Sequence, residues 1–188
     1  MDPITKVWLF TLNARHSIIQ ATFSGFWNET LMIAASYTTE RGEPHTLYQC
    51  REEPDLLAVV CGYHSLQASI DAEKALGERL APHFFDFITH KELYILNMDV
   101  RDLPLTEESG EISIVSSDTE PKDAAALPGK GDWALQPDSI YLGPVDKDKL
   151  KKTWIHIATA GDAEGLSPVG KPRTFHRIME AHIASKAA

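Results

Sequence analysis

The sequence predicts an α+β fold built on one split β-α-β unit, in which a four-stranded sheet carries two helices on one face. Between residues 6 and 98 the patterned segments occur in the order strand, helix, strand, strand, helix, strand. Hydrophobic residues make up 43% of the 188 residues, which is enough to bury a core. The formal net charge is −9 and no basic stripe is present, so we expect no nucleic-acid partner and no acidic membrane partner.

The unit begins with a strand and a helix. Lys6 to Leu12 is rich in aromatic and aliphatic residues and too short for a helix, which predicts the first strand. From Ile19 to Ala34 apolar residues recur at steps of three and four, which predicts a helix with one broad apolar face. The members of that face are Phe23, Phe26, Trp27, Thr30, Leu31 and Ala34.

Two strands joined by a tight turn come next. His45 to Glu52 is predicted as the second strand, and Pro54-Asp55 as the turn. Leu56 to Tyr63 is a continuous apolar run, which predicts a third strand buried on both faces.

The second helix is predicted from its cap and its period. Ser65 is a suitable N-cap, and Leu66, Ile70, Leu76 and Leu80 follow on one side. Glu73 falls within the same arc, as an exception to the apolar pattern. Pro82 interrupts the pattern and is expected to open a further short helical turn. Residues 92–98 are predicted as the fourth strand.

The character of the chain changes after residue 105. Residues 106–131 are rich in Glu, Ser, Asp, Pro and Gly, which predicts a long linker or wrapping arm with one possible strand at 112–115. Further strands are predicted at 139–142 and 153–157, and a terminal helix from Arg173 to Lys186. No tandem repeat of the first half is evident.

The β-α-β-β-α-β order is the ferredoxin-like arrangement, whose sheet has one face without helices. Pairing with a second copy covers that face, so we expect a homodimer in which two units form a dimeric α/β barrel. The barrel domain is expected at residues 1–105, with residues 106–188 as a linker and a C-terminal α+β extension.

Residues 4–101 resemble the antibiotic-biosynthesis-monooxygenase-like and stress-responsive members of the dimeric α/β barrel superfamily. The resemblance is carried by Val7 to Leu12, by the helix around Phe26-Trp27, and by Tyr48 to Asp55 running into the third strand. Gly62 to Leu66 is similar to the turn by which relatives pass from the third strand into the second helix.

The resemblance implies a pocket between the sheet and its helices. Relatives use it for cofactor-free oxidation of aromatic polyketides, polyketide cyclisation, decarboxylation or haem breakdown, often in secondary metabolism, so the fold alone does not choose the reaction. This chain has Tyr63 where the oxygenases often carry a tryptophan. It has Val7 and Leu57 where the plant-type polyketide cyclase has histidines. Neither catalytic set is therefore complete here.

Candidate catalytic residues lie just after Pro82. His83, Asp86 and His90 stand at i, i+3 and i+7, and they share a face if the helical turn continues to His90. A carboxylate that orients one imidazole nitrogen frees the other for proton transfer. The alternatives are a polar surface stripe beside core phenylalanines, and a metal site of two histidines and one carboxylate.

Tyr63 is the fourth catalytic candidate, as a hydrogen-bond donor in the pocket, although it can equally pack as a core aromatic residue. Five further residues are expected to bind the substrate, and for the aromatic ones among them a place in the core is the alternative. They are Thr11, Phe26, Trp27, Tyr48 and Phe84.

No G-x-G-x-x-G, G-x-S-x-G or P-loop motif is present, and we expect no cofactor and no bound metal. The favoured function is a cofactor-free tailoring enzyme acting on a hydrophobic small molecule, a polyketide- or terpenoid-like intermediate, by acid/base cyclisation, isomerisation or elimination. The alternatives are a cofactor-independent monooxygenase of an aromatic polyketide and a non-catalytic ligand-binding dimer.

The N-terminal residues lack the pattern of a secretory signal, and no apolar run approaches the roughly 18–20 residues that span a bilayer. We therefore expect a cytoplasmic protein without a membrane partner. In that reducing compartment Cys50 and Cys61 are expected as buried thiols rather than as a disulfide.

Overall fold

The computed structural model describes residues 2–38, 43–105, 110–137 and 150–181. Within these ranges eight strands close a barrel. In chain order the elements are β1 (Ile4–Leu12), α1 (Ala21–Ala35), β2 (His45–Cys50), β3 (Leu56–Tyr63), α2 (Leu66–Phe87), β4 (Ile88–Leu96), β5 (Glu111–Ser117), β6 (Lys130–Gln136), β7 (Lys151–Thr159) and β8 (Arg173–Ala181).

The barrel consists of two four-stranded antiparallel sheets with the same internal order. The first sheet runs β4-β1-β3-β2 and the second β8-β5-β7-β6, so that each strand of the second corresponds to a strand four places earlier in the chain. The sheets join where β2 pairs with β8 and where β4 pairs with β6. Closure gives every edge strand a hydrogen-bonding neighbour.

The barrel closes within one chain, which corrects the prediction that a second copy supplies its other half. The face that the first sheet leaves without helices packs against β5 to β8, and Leu9, Tyr94 and Phe175 share one core cluster there. The expected division at residue 105 falls between the two sheets, and both contribute to the same barrel. A homodimer stays a prediction.

The predicted order of elements in the first half is confirmed. The predicted apolar face of α1 is buried at Phe23, Trp27 and Leu31. β3 is buried along its whole length, as its continuous apolar run predicts. The Ser65 hydroxyl caps α2 by accepting a 3.2 Å hydrogen bond from the amide of Ala68.

The end of α2 differs from the prediction. The helix continues through position 82 to Phe87, and β4 begins immediately afterwards at Ile88. No separate helical turn therefore leads to His90, which lies in β4 opposite Phe10 of β1.

The terminal segment is a strand, which corrects the helix predicted from Arg173 to Lys186. β8 pairs with β2 on one side and with β5 on the other. Its register with β2 passes from Met179 to Arg177 while β2 advances by one residue, so Ile178 is an extra residue at a β-bulge. The bulge disrupts the alternation of faces, because Phe175 packs in the barrel interior whereas Ile178 and Met179 both pack against the layer beneath the helices.

Residues 106–131 are not only a linker, because β5 occupies 111–117 around the strand predicted at 112–115. The strand predicted at 153–157 is confirmed within β7, whereas the one at 139–142 lies outside the described residues. Short 3-10 helices at Ala124–Ala126 and Ala160–Leu166 follow β5 and β7, at the positions that α1 and α2 occupy in the first half.

Two layers of apolar side chains result. One fills the barrel interior, and the other lies between the outer face of the first sheet and the helices α1 and α2. Both cysteines are buried free thiols, as predicted. None of the described helices is long and apolar enough to cross a bilayer.

Candidate active site

A cavity of about 80 Å³ lies between α1, α2 and the outer face of β1, β3 and β4. That volume holds on the order of five water molecules. Trp8, Glu73 and Leu76 are only partly buried, so the cavity approaches the surface on their side. The lining residues are Lys6, Trp8, Trp27, Thr30, Leu31, Ala34, Val59, Cys61, Tyr63, Glu73, Leu76, Phe84 and Leu93.

A row of polar side chains crosses the sheet beneath the helices. In the strand registers Lys6 of β1 stands opposite Cys61 of β3, and Cys61 stands opposite His45 of β2. Directly opposed residues in antiparallel strands have Cβ atoms about 5 Å apart, so these three side chains are neighbours. The row places one amine, one thiol and one imidazole on a surface that is otherwise apolar.

Lys6 forms an ion pair with Glu73, which reaches it from α2. Their side chains are only 7% and 15% exposed, so the pair is largely withdrawn from water. Burial lowers the pKa of Lys6 to about 7, while the neighbouring Cys61 opposes the shift. The carboxylate favours the charged amine, and burial favours the neutral one. The pair therefore places a carboxylate and an amine together at one end of the cavity.

Tyr63 and Cys61 complete the polar end of the cavity. Burial raises the pKa of Cys61 to about 12 and raises that of Tyr63 well above its ordinary value. Both groups therefore keep their protons at neutral pH and act as donors. The Tyr63 ring packs edge-on against His45, with ring centroids 5.1 Å apart.

Aromatic rings form the opposite wall. Trp27 stacks on Phe10 with centroids 4.8 Å apart, and Phe84 meets the edge of Trp8 at 5.9 Å. The Trp27 indole nitrogen is buried and has no hydrogen-bond partner among the described residues. Such walls favour flat, apolar ligands.

Of the four predicted catalytic residues, Tyr63 alone lies among the lining residues of the cavity. Nδ1 of His83 lies 3.6 Å from Oδ2 of Asp86 at the end of α2. Their side chains are 65% and 70% exposed, so the two residues form a surface pair. His90 sits behind the cavity wall, where its Nδ1 accepts a 3.0 Å hydrogen bond from Trp8 Nε1. The shared helix face predicted for the three is wrong. Their catalytic role stays a prediction.

The predicted substrate-binding residues divide in the same way. Trp27 and Phe84 line the cavity, and Phe26 supports both from behind by edge-on ring contacts. Thr11 is not among the lining residues, and Tyr48 is buried in the barrel interior. Tyr48 thus faces the other side of the sheet.

Lys6 and Glu73 were not recognised as site residues from the sequence. Both residues nevertheless depart from a hydrophobic pattern in the sequence. Glu73 interrupts the apolar arc of α2, and Lys6 stands among the apolar residues of β1. A charge on a buried face requires a partner. Two residues of opposite charge on the buried faces of packed elements therefore predict an ion pair.

A second cavity of about 70 Å³ opens at the barrel interior beside Tyr94, Ser116, Lys171 and Arg173. The Tyr94 hydroxyl donates a 2.8 Å hydrogen bond to Glu92, and both cationic residues are exposed. No buried amine–carboxylate pair lines it. No three His, Cys, Asp or Glu side chains cluster for a metal ion anywhere in the part of the chain that the structure describes.

Comparisons with known proteins bear on the fold. No protein-family model and no curated protein matches the chain. Among solved structures, an anthrone oxidase-like protein is 12% identical, covers 100% of this chain and 96% of its own, and has a TM-score of 0.54. A proposed monooxygenase of Fusobacterium nucleatum subsp. nucleatum is 8% identical over 96% of this chain and 94% of its own, with a TM-score of 0.53.

A proposed chlorite dismutase is also similar, at 9% identity over 95% of this chain and 96% of its own, with a TM-score of 0.51. The similarities show a shared fold, in agreement with the α/β barrel expected from the resemblance of residues 4–101. The shared fold spans both halves of the chain.

Proposed function

We propose that this chain, which has the fold of the monooxygenase-like α/β barrels, is a cofactor-independent oxygenase that abstracts a proton from an aromatic, polyketide-like molecule. The observation that carries the proposal is the buried Lys6–Glu73 pair at one end of a cavity walled by aromatic rings. An anthrone oxidase-like protein among the structural neighbours is consistent with that substrate class.

The first step is proton transfer to Glu73. Glu73 is a carboxylate held in place by Lys6 and largely withdrawn from water, and a positioned carboxylate acts as a general base. The proton is taken from a carbon made acidic by conjugation with a ring carbonyl. Lys6 stands beside the carboxylate, and its ammonium group stabilises the negative charge that develops on the carbonyl oxygen.

The second step is reaction of the carbanion with molecular oxygen. For a methylene flanked by two rings, the overall change is R₂CH₂ + O₂ → R₂C=O + H₂O, in which the carbon is oxidised and oxygen is reduced. The protons that leave with water come from the substrate through Glu73. The apolar wall around Trp8, Trp27 and Phe84 admits oxygen and keeps bulk water from quenching the carbanion.

Acid/base cyclisation or isomerisation is the second candidate, because it uses the same first step. Here the anion is protonated at another atom instead of meeting oxygen. Tyr63 favours this outcome, since its raised pKa keeps a donor hydroxyl at the polar end of the cavity. The two candidates differ only in the fate of the carbanion.

One pair of measurements tests both. Anthrone is incubated with the protein in D₂O without oxygen, and exchange of its methylene hydrogens is followed by NMR. Oxygen consumption is then measured in air. Exchange above the buffer rate supports proton abstraction, and oxygen uptake selects the oxygenase. Exchange without uptake selects the isomerase or cyclase, and binding without exchange would leave only a ligand-binding role.

Glu73→Gln is the decisive variant, because it keeps the shape of the side chain and removes the base. We expect exchange to fall by about 10²-fold or more, in line with the usual contribution of a general base. Glu78→Gln is the matched control, since Glu78 is an exposed carboxylate on the same helix. Equal losses in both variants would contradict the assignment.

A further inference from the structure

Lys6 differs from every other lysine in the described part of the chain. It is buried in the wall of the cavity, whereas Lys74, Lys91, Lys122, Lys130, Lys151, Lys152 and Lys171 are all exposed. Its immediate surroundings are the Glu73 carboxylate, the Cys61 thiol on the neighbouring strand, and mostly apolar or aromatic side chains. The cavity thus presents one amine to whatever enters.

A purely structural ion pair explains this arrangement poorly. Removing two charges from water costs several kcal/mol per ion, and well-packed apolar residues would often do as well in the same place. An amine that is needed as a nucleophile is, by contrast, placed in apolar surroundings so that it loses its proton readily.

We propose that Lys6 Nζ captures the carbonyl carbon of an aromatic aldehyde or alkyl aryl ketone as an imine. The inference rests on the proposed function in placing a conjugated carbonyl in this cavity, and it names the carbonyl group as the feature that the site recognises. The aromatic wall of Trp8, Trp27 and Phe84 holds the ring, and the polar end holds the carbonyl.

The chemistry needs only groups that line the cavity. Glu73 accepts one proton from the Lys6 ammonium, the freed electron pair forms the N–C bond, and a second proton passes from that nitrogen to the carbonyl oxygen, which becomes a hydroxyl. Glu73 then returns its proton to the hydroxyl, the C–O bond breaks, and water leaves. Overall, an ammonium group and a carbonyl give a protonated imine and water, with no change of oxidation state.

Burial also favours the step at neutral pH. Burial lowers the pKa of Lys6 to about 7, so its ammonium group gives up a proton more readily at neutral pH than that of a lysine with the ordinary pKa of 10.5. The exposed lysines therefore serve as internal controls in the same chain.

The test is reductive trapping of the full-length protein with benzaldehyde and sodium cyanoborohydride at neutral pH. Hydride from the reagent converts the imine to a secondary amine that carries one benzyl group. Peptide mass spectrometry then locates the adduct. We expect labelling of Lys6 at least tenfold faster than that of any exposed lysine. The preference should disappear in urea, because the unfolded chain restores ordinary pKa values.

Two variants sharpen the result. Glu73→Gln should slow trapping at Lys6 by about tenfold or more, because the proton acceptor is lost. Lys6→Arg should abolish the adduct, since a guanidinium group does not form the imine. Labelling spread evenly over the exposed lysines, with Lys6 unmodified, would overturn the inference.

The outcome is separable from that of the proposed function. Binding of 2-naphthol, which has no carbonyl group, is followed in parallel by tryptophan fluorescence. Binding of 2-naphthol without a Lys6 adduct rejects the imine and leaves the proton-abstraction proposal standing. A Lys6 adduct without any hydrogen exchange from anthrone supports the imine and rejects the proposed oxygenase.

Discussion

The indole nitrogen of Trp8 donates a 3.0 Å hydrogen bond to Nδ1 of His90. A nitrogen that accepts carries no proton, so the bond requires the neutral imidazole. Burial lowers the pKa of His90 below its ordinary value of 6.5, and the neighbouring Glu92 opposes the shift. The orientation of a cavity-wall ring is thereby coupled to pH.

We expect 2-naphthol to bind about fivefold more weakly below the lowered pKa of His90 than at pH 7, because losing one hydrogen bond costs on the order of 1 kcal/mol. The bond is present above the lowered pKa of His90 and is lost as the pH falls through it. Fluorescence titration measures the affinity. His90→Gln retains an acceptor oxygen and should remove the pH dependence, whereas the exposed His64→Gln should keep it. An unchanged profile in His90→Gln would refute the coupling.

Breaking the Lys6–Glu73 pair should lower the free energy of unfolding strongly, whereas replacing both residues together should lower it little. Lys6→Met leaves a largely buried carboxylate without its cation, so we expect a loss of about 3 kcal/mol in the free energy of unfolding. The double variant Lys6→Met/Glu73→Met should recover most of that loss, because two apolar side chains of similar volume fill the space. Urea unfolding at neutral pH measures both. A double variant no more stable than the single one would show that the pair itself stabilises the fold.

His45 should make the protein sensitive to acid. Burial lowers the pKa of His45 to about 4 in the folded chain, against an ordinary value of 6.5. Between these values the unfolded state binds the extra proton, so stability falls by about 3 kcal/mol as the pH drops from 6.5 to 4. In His45→Phe, which preserves a ring against Tyr63, that part of the slope should vanish. Unfolding free energies at several pH values give the comparison, and parallel slopes would exclude His45 as the cause.

Gly62 and Gly25 differ in the space available for a side chain, so the same substitution should have opposite effects at the two positions. A Cβ at Gly62 would lie 2.7 Å from Cβ of Val100, whereas one at Gly25 in α1 meets nothing within 4 Å. We expect Gly62→Ala to destabilise the protein by about 1–3 kcal/mol through overpacking. Gly25→Ala should stabilise it by about 0.5–1 kcal/mol, because alanine favours the helix. Thermal unfolding distinguishes the two, and Val100→Ala should partly rescue the first variant.

The first half of the fold is predictable because its signals are local. The apolar face of α1, the Ser65 cap and the continuous run of β3 each identify an element without knowledge of its neighbours. The second half lacks such signals. β8 becomes a strand through pairing with β2 and β5, and the bulge at Ile178 disrupts the alternation that would reveal it.

The candidate site was predictable in its walls but not in its charges. Trp27, Phe84 and Tyr63 were identified because aromatic residues on buried faces are conspicuous. His83 and Asp86 were predicted because residues close together in the sequence are easily seen as a pair, whereas Lys6 and Glu73 were not considered. Lys6 and Glu73 are 67 positions apart, and only the packing of α2 on β1 brings them together.

Joining both sheets in one chain has a consequence for the number of sites. When two identical subunits form a barrel, every substitution is present in both halves. One half therefore cannot lose its helices while the other keeps them. Here the first sheet keeps α1 and α2, whereas the described segments after β5 and β7 form only short 3-10 helices. One half thus serves as a scaffold, and the cavity beneath α1 and α2 belongs to the other half. If that cavity is the binding site, as proposed above, one ligand binds per chain whatever the oligomeric state.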